Sequence, residues 1–186
     1  MADLVLETQR LVLRAVGEDD VEDHNLLINT EAVMAHLGGV MERHEIEARH
    51  AKSMALYARH GFSFLFMFEK TTGEMVGYAG IKLVDNPLAP NVGDHEIGWT
   101  VRQDRWRRGY AFEAVRGILD WAFGPVGAPH VAALTSQSNI ASWKLMEKLG
   151  MQRREDLDFD DPDYPPQDNP TIQYLLNAAD WRGGHG

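Results

Sequence analysis

The stretch VRQDRWRRGYAFEAVRGILDWAF, Val101 to Phe123, joins a basic, glycine-bearing turn to a helix. Val115, Ile118, Leu119 and Ala122 recur at i, i+3, i+4 and i+7, while Glu113, Arg116 and Asp120 fall on another face, the spacing of an amphipathic helix. The run HEIGWTVR (His95 to Arg102) just before it reads as a strand. Strand, turn and helix in this order suit an anion. The first N–H groups of a helix lack internal partners and sit at the positive end of its dipole. Gly109 lets the backbone approach a ligand closely, and Arg105, Arg107 and Arg108 add positive potential. The alternative is a solvated basic turn. No G-x-G-x-x-G follows a strand here and no G-x-x-x-x-G-K-[ST] is present, which argues against a dinucleotide fingerprint and a P-loop.

On the N-terminal side, Leu11 to Ala15 reads as a short strand, and GEDD (Gly17 to Asp20) opens a helix over Val21 to Asn29. A longer helix runs from about Met41 to His60, with Ile46, His50, Ser53 and Tyr57 on one side and Gly61 ending it. Phe62 to Phe68, FSFLFMF, is apolar enough for a strand covered on both faces. Thr71 to Gly73 turns the chain into Met75 to Val84, the second strand of a hairpin, weakened or bulged at Gly77 and Gly80. Residues 85 to 94 form a proline-bearing loop.

On the C-terminal side, GPVGAP (Gly124 to Pro129) stops the helix and HVAALTSQ (His130 to Gln137) is again a strand. Asn139 caps a helix that runs through Leu149 and ends at Gly150. Residues 151 to 159 and 171 to 177 read as a closing strand pair. The acidic, proline-rich segment between them, Glu155 to Asp168, reads as a solvated, mobile loop, with steering of a cationic substrate as the alternative.

The chain has 186 residues, 44% of them hydrophobic and 25% charged, an ordinary globular composition sufficient for one core. No apolar run of membrane-spanning length occurs, and the N-terminus does not read as a signal peptide. Cysteine is absent, which removes thiolate ligands, disulfides and a cysteine nucleophile, and agrees with a cytoplasmic protein. The formal charge of −10 argues against nonspecific nucleic-acid binding. His44 and His50 in HEIEARH are six residues apart, on different helix faces, so the zinc-binding H-E-x-x-H pattern does not apply and no metal is expected. Neither repeats nor linkers interrupt the chain, which therefore reads as one domain, 1–186, of mixed α/β architecture.

Trp106, Arg107, Arg108, Gly109, Tyr110 and Ala111 resemble the acyl-coenzyme A pyrophosphate loop, [QR]-x-x-G-x-[GA], of the GNAT superfamily of N-acetyltransferases. Trp106 at the first position is similar to the W-x-x-G-Y-A-x-E-A run of the RimJ/RimL-type branch. NIASWKLMEKLGM (Asn139 to Met151) resembles that branch's N-x-x-S...KLGF helix, and IQYLLNAADW (Ile172 to Trp181) its C-terminal strand. The resemblance implies the GNAT fold: a central, mixed, mostly antiparallel sheet of about seven strands flanked by about four helices.

What the resemblance implies chemically is acetyl transfer from acetyl-CoA to a primary amine, by direct attack in a ternary complex. The acceptor would be a peptide or protein N-terminus or a small-molecule amine, with neither nucleic acid nor membrane as partner and a homodimer left open. The cosubstrate would be held by Trp99, Thr100 and Val101 along the pantetheine arm, by Arg107, Arg108, Gly109, Tyr110 and Ala111 at the pyrophosphate, and by Asn139, as a helix cap that also bonds the pantetheine amide. Glu96, matching the branch's EIG segment, is a candidate general base, or else a residue that holds a neighbouring loop. Met146 stands where many members carry a proton-donating Tyr, which leaves Ser142 and Tyr174 as candidates for the acid. A thiol leaves fairly well unaided, however, and Ser142 is equally a small packing residue. The alternative function is a noncatalytic acyl-CoA-binding module of the same fold.

Overall fold

The computed structural model describes residues 3–183, which pack as two compact units. The first unit comprises the described residues up to Ile81 together with Gly98–Ile118. Its sheet is an antiparallel meander of β1 (Leu4–Glu7), β2 (Leu11–Ala15), β3 (Phe64–Glu69) and β4 (Met75–Leu83). In β3 the consecutive residues Leu65, Phe66 and Met67 are all buried. Successive strand residues point to opposite faces, so both faces are covered, as the apolar run predicts. The β3–β4 register slips between Met67 and Phe68, opposite Met75 and Gly77. At Gly77 a Cβ would lie 2.0 Å from the Thr100 carbonyl oxygen, so only glycine lets β4 run this close to β5 (His95–Val101).

Between β2 and β3 lie α1 (Val21–Leu27), the single-turn α2 (Glu31–Met34) and α3 (Arg43–His60). The helix expected over Val21 to Asn29 ends at Leu27. The N–H groups of Ile28 and Asn29 both return to the His24 carbonyl, and the Asn29 amide bonds both backbone groups of Met41. The 18-residue α3 buries only Ile46 and His50 and stops at Gly61 in the left-handed conformation. His44 is exposed while His50 is buried, on different faces as the spacing predicts.

The second unit comprises Lys82–Ile97 and the chain from Leu119 onward. It holds the start of β5, the end of α4 (Tyr110–Phe123), then β6 (His130–Ser136), α5 (Ile140–Lys148), β7 (Gln152–Arg153), β8 (Thr171–Asn177) and a short α6 (Ala178–Gly183). β5 pairs with β6 in parallel at Glu96↔Ala132, and β6 pairs with β8 antiparallel over seven positions. The expected partner strand over 151 to 159 shrinks to two residues in β7 and an isolated bridge, Phe159↔Thr171. Between them a tight turn over Glu155–Leu157 interrupts the ladder, with Arg153 paired to Asp158 and Arg154 to Asp156.

The acidic segment is in part the solvated loop expected from its composition, with most of its residues exposed, but two of its carboxylates are buried. Asp161 and Asp168 are each about 6% exposed. Asp161 accepts from the Asn86 amide at 2.7 Å, and Asp168 accepts from the hydroxyls of Ser136 and Ser138 at 3.1 and 2.7 Å. The Asn169 side chain donates to the Asp161 and Tyr164 carbonyls and accepts from the Asp161 N–H. These carboxylates act as internal acceptors that close the loop on itself and on the residues after β6.

The hydrogen-bonded strand order is β1-β2-β3-β4-β5-β6-β8-β7. The architecture is the mixed, mostly antiparallel α/β sheet that was expected, with β1 at one edge and the short α2 and α6 beyond the outline.

Candidate active site

In the first unit, the backbone after β5 passes through a single turn at Gln103–Arg105 before α4 begins at Tyr110. Two residues of the connection lie in the left-handed region, Arg107 at φ 60° and Gly109 at φ 81°. A non-glycine residue there is uncommon, and left-handed residues between helical ones turn successive N–H groups toward one concave side. The N–H groups of the first turn of α4 have no partner within the helix. Arg107, Arg108 and Gly109 are exposed, and among the described residues neither arginine makes an ion pair. A diphosphate, with its two negative charges and its acceptor oxygens, fits this donor set.

The third arginine of the motif is spent elsewhere. Arg105 pairs with Glu74 at 2.5 Å and lies 3.8 Å from Glu69, so it binds the β3–β4 turn to the motif. Tyr110 is 5% exposed and its phenol donates to Glu69, a bond that raises its pKa above the ordinary value. The Trp106 indole N–H donates to the Val101 carbonyl at 2.6 Å, which fixes the ring while leaving it 44% exposed. Trp99 is half-buried, and Thr100 and Val101 are buried.

Two contributors to this turn were missed at the level of sequence. Arg10, just ahead of β2, donates from Nη1 to the Arg108 carbonyl at 3.0 Å and from Nε to Glu113 at 2.6 Å, and its guanidinium lies 4.3 Å over the Tyr110 ring. Glu113 also accepts from the Thr8 hydroxyl at 2.5 Å and the Arg10 backbone N–H at 2.6 Å. Burial works against its charge, but these bonds outweigh it and hold the carboxyl below its ordinary pKa. The glutamate of the G-Y-A-x-E-A run was the available signal, since a charged residue on the first turn of an amphipathic helix needs a partner.

In the second unit, the Glu96 carboxylate on β5 lies 3.1 Å from the Lys82 ammonium, which also donates to Asp85 at 2.7 Å. Burial opposes the charge on Lys82, but the carboxylates of Glu96 and Asp85 outweigh it and raise its pKa. Asn139 caps α5, its side-chain oxygen accepting from the Ser142 N–H at 3.3 Å. Ser142 stands in the first turn of that helix, half-buried. Tyr174, on β8, is 5% exposed and donates to Glu147 at 3.3 Å. Burial and the Glu147 charge raise its phenol pKa, so it holds its proton at neutral pH. Met146 is buried as part of the core. Among the described residues no group of three or more His, Asp or Glu could hold a metal ion.

The family model described as an acetyltransferase (GNAT) domain matches residues 10–152. A Bacillus subtilis relative named as an uncharacterized N-acetyltransferase, YoaA, is 28% identical over 154 residues, covering 80% of this chain and 83% of its own length. The solved acetyltransferase of Agrobacterium tumefaciens superposes with a TM-score of 0.75 at 25% identity, over 95% of this chain and 96% of that one. A RimL ribosomal L7/L12 alpha-N-protein acetyltransferase, solved in complex with coenzyme A, shares the fold with a TM-score of 0.77 at 15% identity, over 96% and 99% of the two chains. The matched span begins at the arginine that braces the turn and takes in the whole of α4 and α5, and by it this chain belongs to the GNAT family of acetyltransferases.

Proposed function

We propose that this chain, working as one domain over 1–186 in the cytoplasm, moves an acetyl group from acetyl-CoA to a primary amine in a ternary complex. The observation that carries the reading is the turn Arg107–Gly109, with two left-handed residues and two arginines that make no ion pair among the described residues, leading into α4. Arg107, Arg108 and the N–H groups of Gly109, Tyr110 and Ala111 would take the diphosphate of the cosubstrate. Trp99, Thr100 and Val101 would pair with its pantetheine arm, and Asn139 would add a bond to the amide beyond its capping role.

The cosubstrate supplies the acetyl group as a thioester. The amine must lose a proton as its nitrogen bonds to the acetyl carbon and the carbon–sulfur bond breaks. Glu96 is the group we assign to that proton, directly or through a water. The Lys82 ammonium lies 3.1 Å from its carboxylate and holds it in place on β5. Tyr174, whose phenol holds its proton, and Ser142, at the start of α5, are the candidates to protonate the departing thiolate. With no cysteine in the chain, no thioester of the enzyme intervenes.

A peptide N-terminus is the favoured acceptor. With a pKa near 8 it is about a tenth neutral at pH 7, whereas a lysine amine is neutral less than about a thousandth of the time, so a weak base suffices for the former. The test is thiol release from acetyl-CoA against a panel of N-terminal peptides, lysine and polyamines. The cysteine-free protein gives no background in a thiol assay. Release that depends on peptide and saturates supports the reading. Release that is the same with and without amine sinks it.

A further inference from the structure

The peptide between Arg108 and Gly109 is trans, so its carbonyl and its N–H point in opposite directions. Whatever holds the Arg108 carbonyl therefore aims the Gly109 N–H. Arg10 holds it, from 98 residues away, through Nη1 at 3.0 Å. Three further contacts brace the guanidinium. Glu113 takes its Nε at 2.6 Å and also the backbone N–H of Arg10 at 2.6 Å, while the Tyr110 ring lies 4.3 Å beneath it. Tyr110 is itself tied through its phenol to Glu69.

We propose that Arg10 is a positioning residue of the cosubstrate site: by gripping the Arg108 carbonyl it keeps the 108–109 peptide turned so that the Gly109 N–H faces the diphosphate. This rests on the assignment of residues 107 to 111 to that diphosphate. Without the grip the 108–109 peptide loses the side-chain bond that fixes its orientation, and a carbonyl oxygen turned toward an anion repels it. Glu113 acts one step further out, locking the arginine. The planar fork is what the geometry uses: one guanidinium spans Glu113 and the Arg108 carbonyl at once, which a lysine head cannot do while stacked on Tyr110.

The test compares two ligands, acetyl-CoA and S-acetylpantetheine, which lacks the diphosphate and the adenosine 3′-phosphate beyond it, by titration calorimetry on the wild type, Arg10→Lys and Arg10→Met. Melting midpoints are recorded alongside. The wild type is expected to prefer acetyl-CoA. Both variants are expected to lose about 10-fold to 100-fold in acetyl-CoA affinity, the scale of one charge-assisted hydrogen bond, with S-acetylpantetheine unchanged. A purely structural role would weaken both ligands together, and that result overturns the proposal. Wild-type affinity for acetyl-CoA in Arg10→Lys overturns it as well, since charge alone would then suffice. If Arg10→Met does not fold, Arg10→Lys carries the test. If the wild type binds both ligands equally, the diphosphate assignment itself falls, and this proposal falls with it; a preference kept by both variants leaves that assignment standing and removes only Arg10.

Discussion

The Lys82 ammonium sits 3.1 Å from the Glu96 carboxylate, with the two side chains 24% and 14% exposed. A strand glutamate at that burial needs a cation close by, because desolvating an unpaired carboxylate is costly. If Glu96 accepts the amine proton, Lys82 fixes where its carboxylate stands. Removing the ammonium in Lys82→Met takes away that partner, so kcat/KM should fall by about 10-fold with acetyl-CoA affinity nearly unchanged. Glu96→Gln should lower kcat by about 100-fold or more while leaving acetyl-CoA affinity nearly intact. Unchanged kcat in both variants would leave the pair with a holding role only.

His24 and His50 form a second buried pair. Their rings stack at 5.1 Å, with His24 Nδ1 2.8 Å from His50 Nε2. His50 Nδ1 lies 3.4 Å from the Gly17 carbonyl, which can only accept. With His50 donating from Nδ1, its Nε2 accepts a hydrogen bond from the His24 Nδ1–H. Burial, then the nearby His50 and Arg49, lower the His24 pKa from 6.5 to about 4. The sign follows: between pH 6.5 and 4 the unfolded chain binds a proton that the folded chain refuses, so stability falls as pH falls through that window. By pH 5 the wild type should have lost about 2 kcal/mol relative to pH 7.5 on this account, measured by urea unfolding. The dependence should flatten in His24→Gln, and an equally steep fall in that variant would place its origin elsewhere.

Much of this architecture was legible from spacing and punctuation. The burial of Val115, Ile118, Leu119 and Ala122 follows the helical period, and Gly61 and Gly150 stop helices where expected. The turn was legible for the same reason, since a glycine and a helix start are adjacent in sequence. What stayed hidden lies in pairs such as Arg10 with Glu113 and His24 with His50. They are 103 and 26 residues apart, and such contacts leave no periodic trace. The acidic segment was legible only in part, because composition counts charges without saying which ones find donors. Arg105 misled in the opposite sense, as a cation that looked available to a ligand but is held by Glu74.

Gly109 offers a way to separate conformation from space. Its φ of 81° strains any side chain, while a Cβ would meet only Arg10 Nη2 at 3.4 Å. The substitution is therefore limited by the backbone in the ligand-free protein. In the wild type, acetyl-CoA at one hundred times its Kd should add about 2.7 kcal/mol, or roughly 5 to 10 °C in melting midpoint at this chain length. Gly109→Val should lose that shift. Gly109→Asn tolerates the left-handed region better and should keep more of it. If asparagine proves as damaging as valine, the requirement is room for the ligand against the backbone rather than the dihedral.

Asp168 and Asp163 lie in one acidic segment but predict opposite outcomes. Asp168 accepts the hydroxyls of Ser136 and Ser138, and Ser136 in turn bonds the N–H groups of Ser138 and Asn139 through its hydroxyl and carbonyl. The carboxylate thus fixes the turn that delivers Asn139 to its capping position on α5. Asp168→Ala removes the shared acceptor of two hydroxyls that lie 2.7 Å apart, so that one of them can still donate to the other, and should cost about 1 to 3 kcal/mol in urea unfolding. It should also weaken any cosubstrate bond made by Asn139. Asp163 is exposed, and Asp163→Asn should stay within about 0.5 kcal/mol of the wild type. Neither change should give a salt-sensitive KM for a cationic amine if the segment is structural. A KM that rises in Asp163→Asn and converges with the wild type at high salt would instead assign the exposed carboxylates to substrate steering.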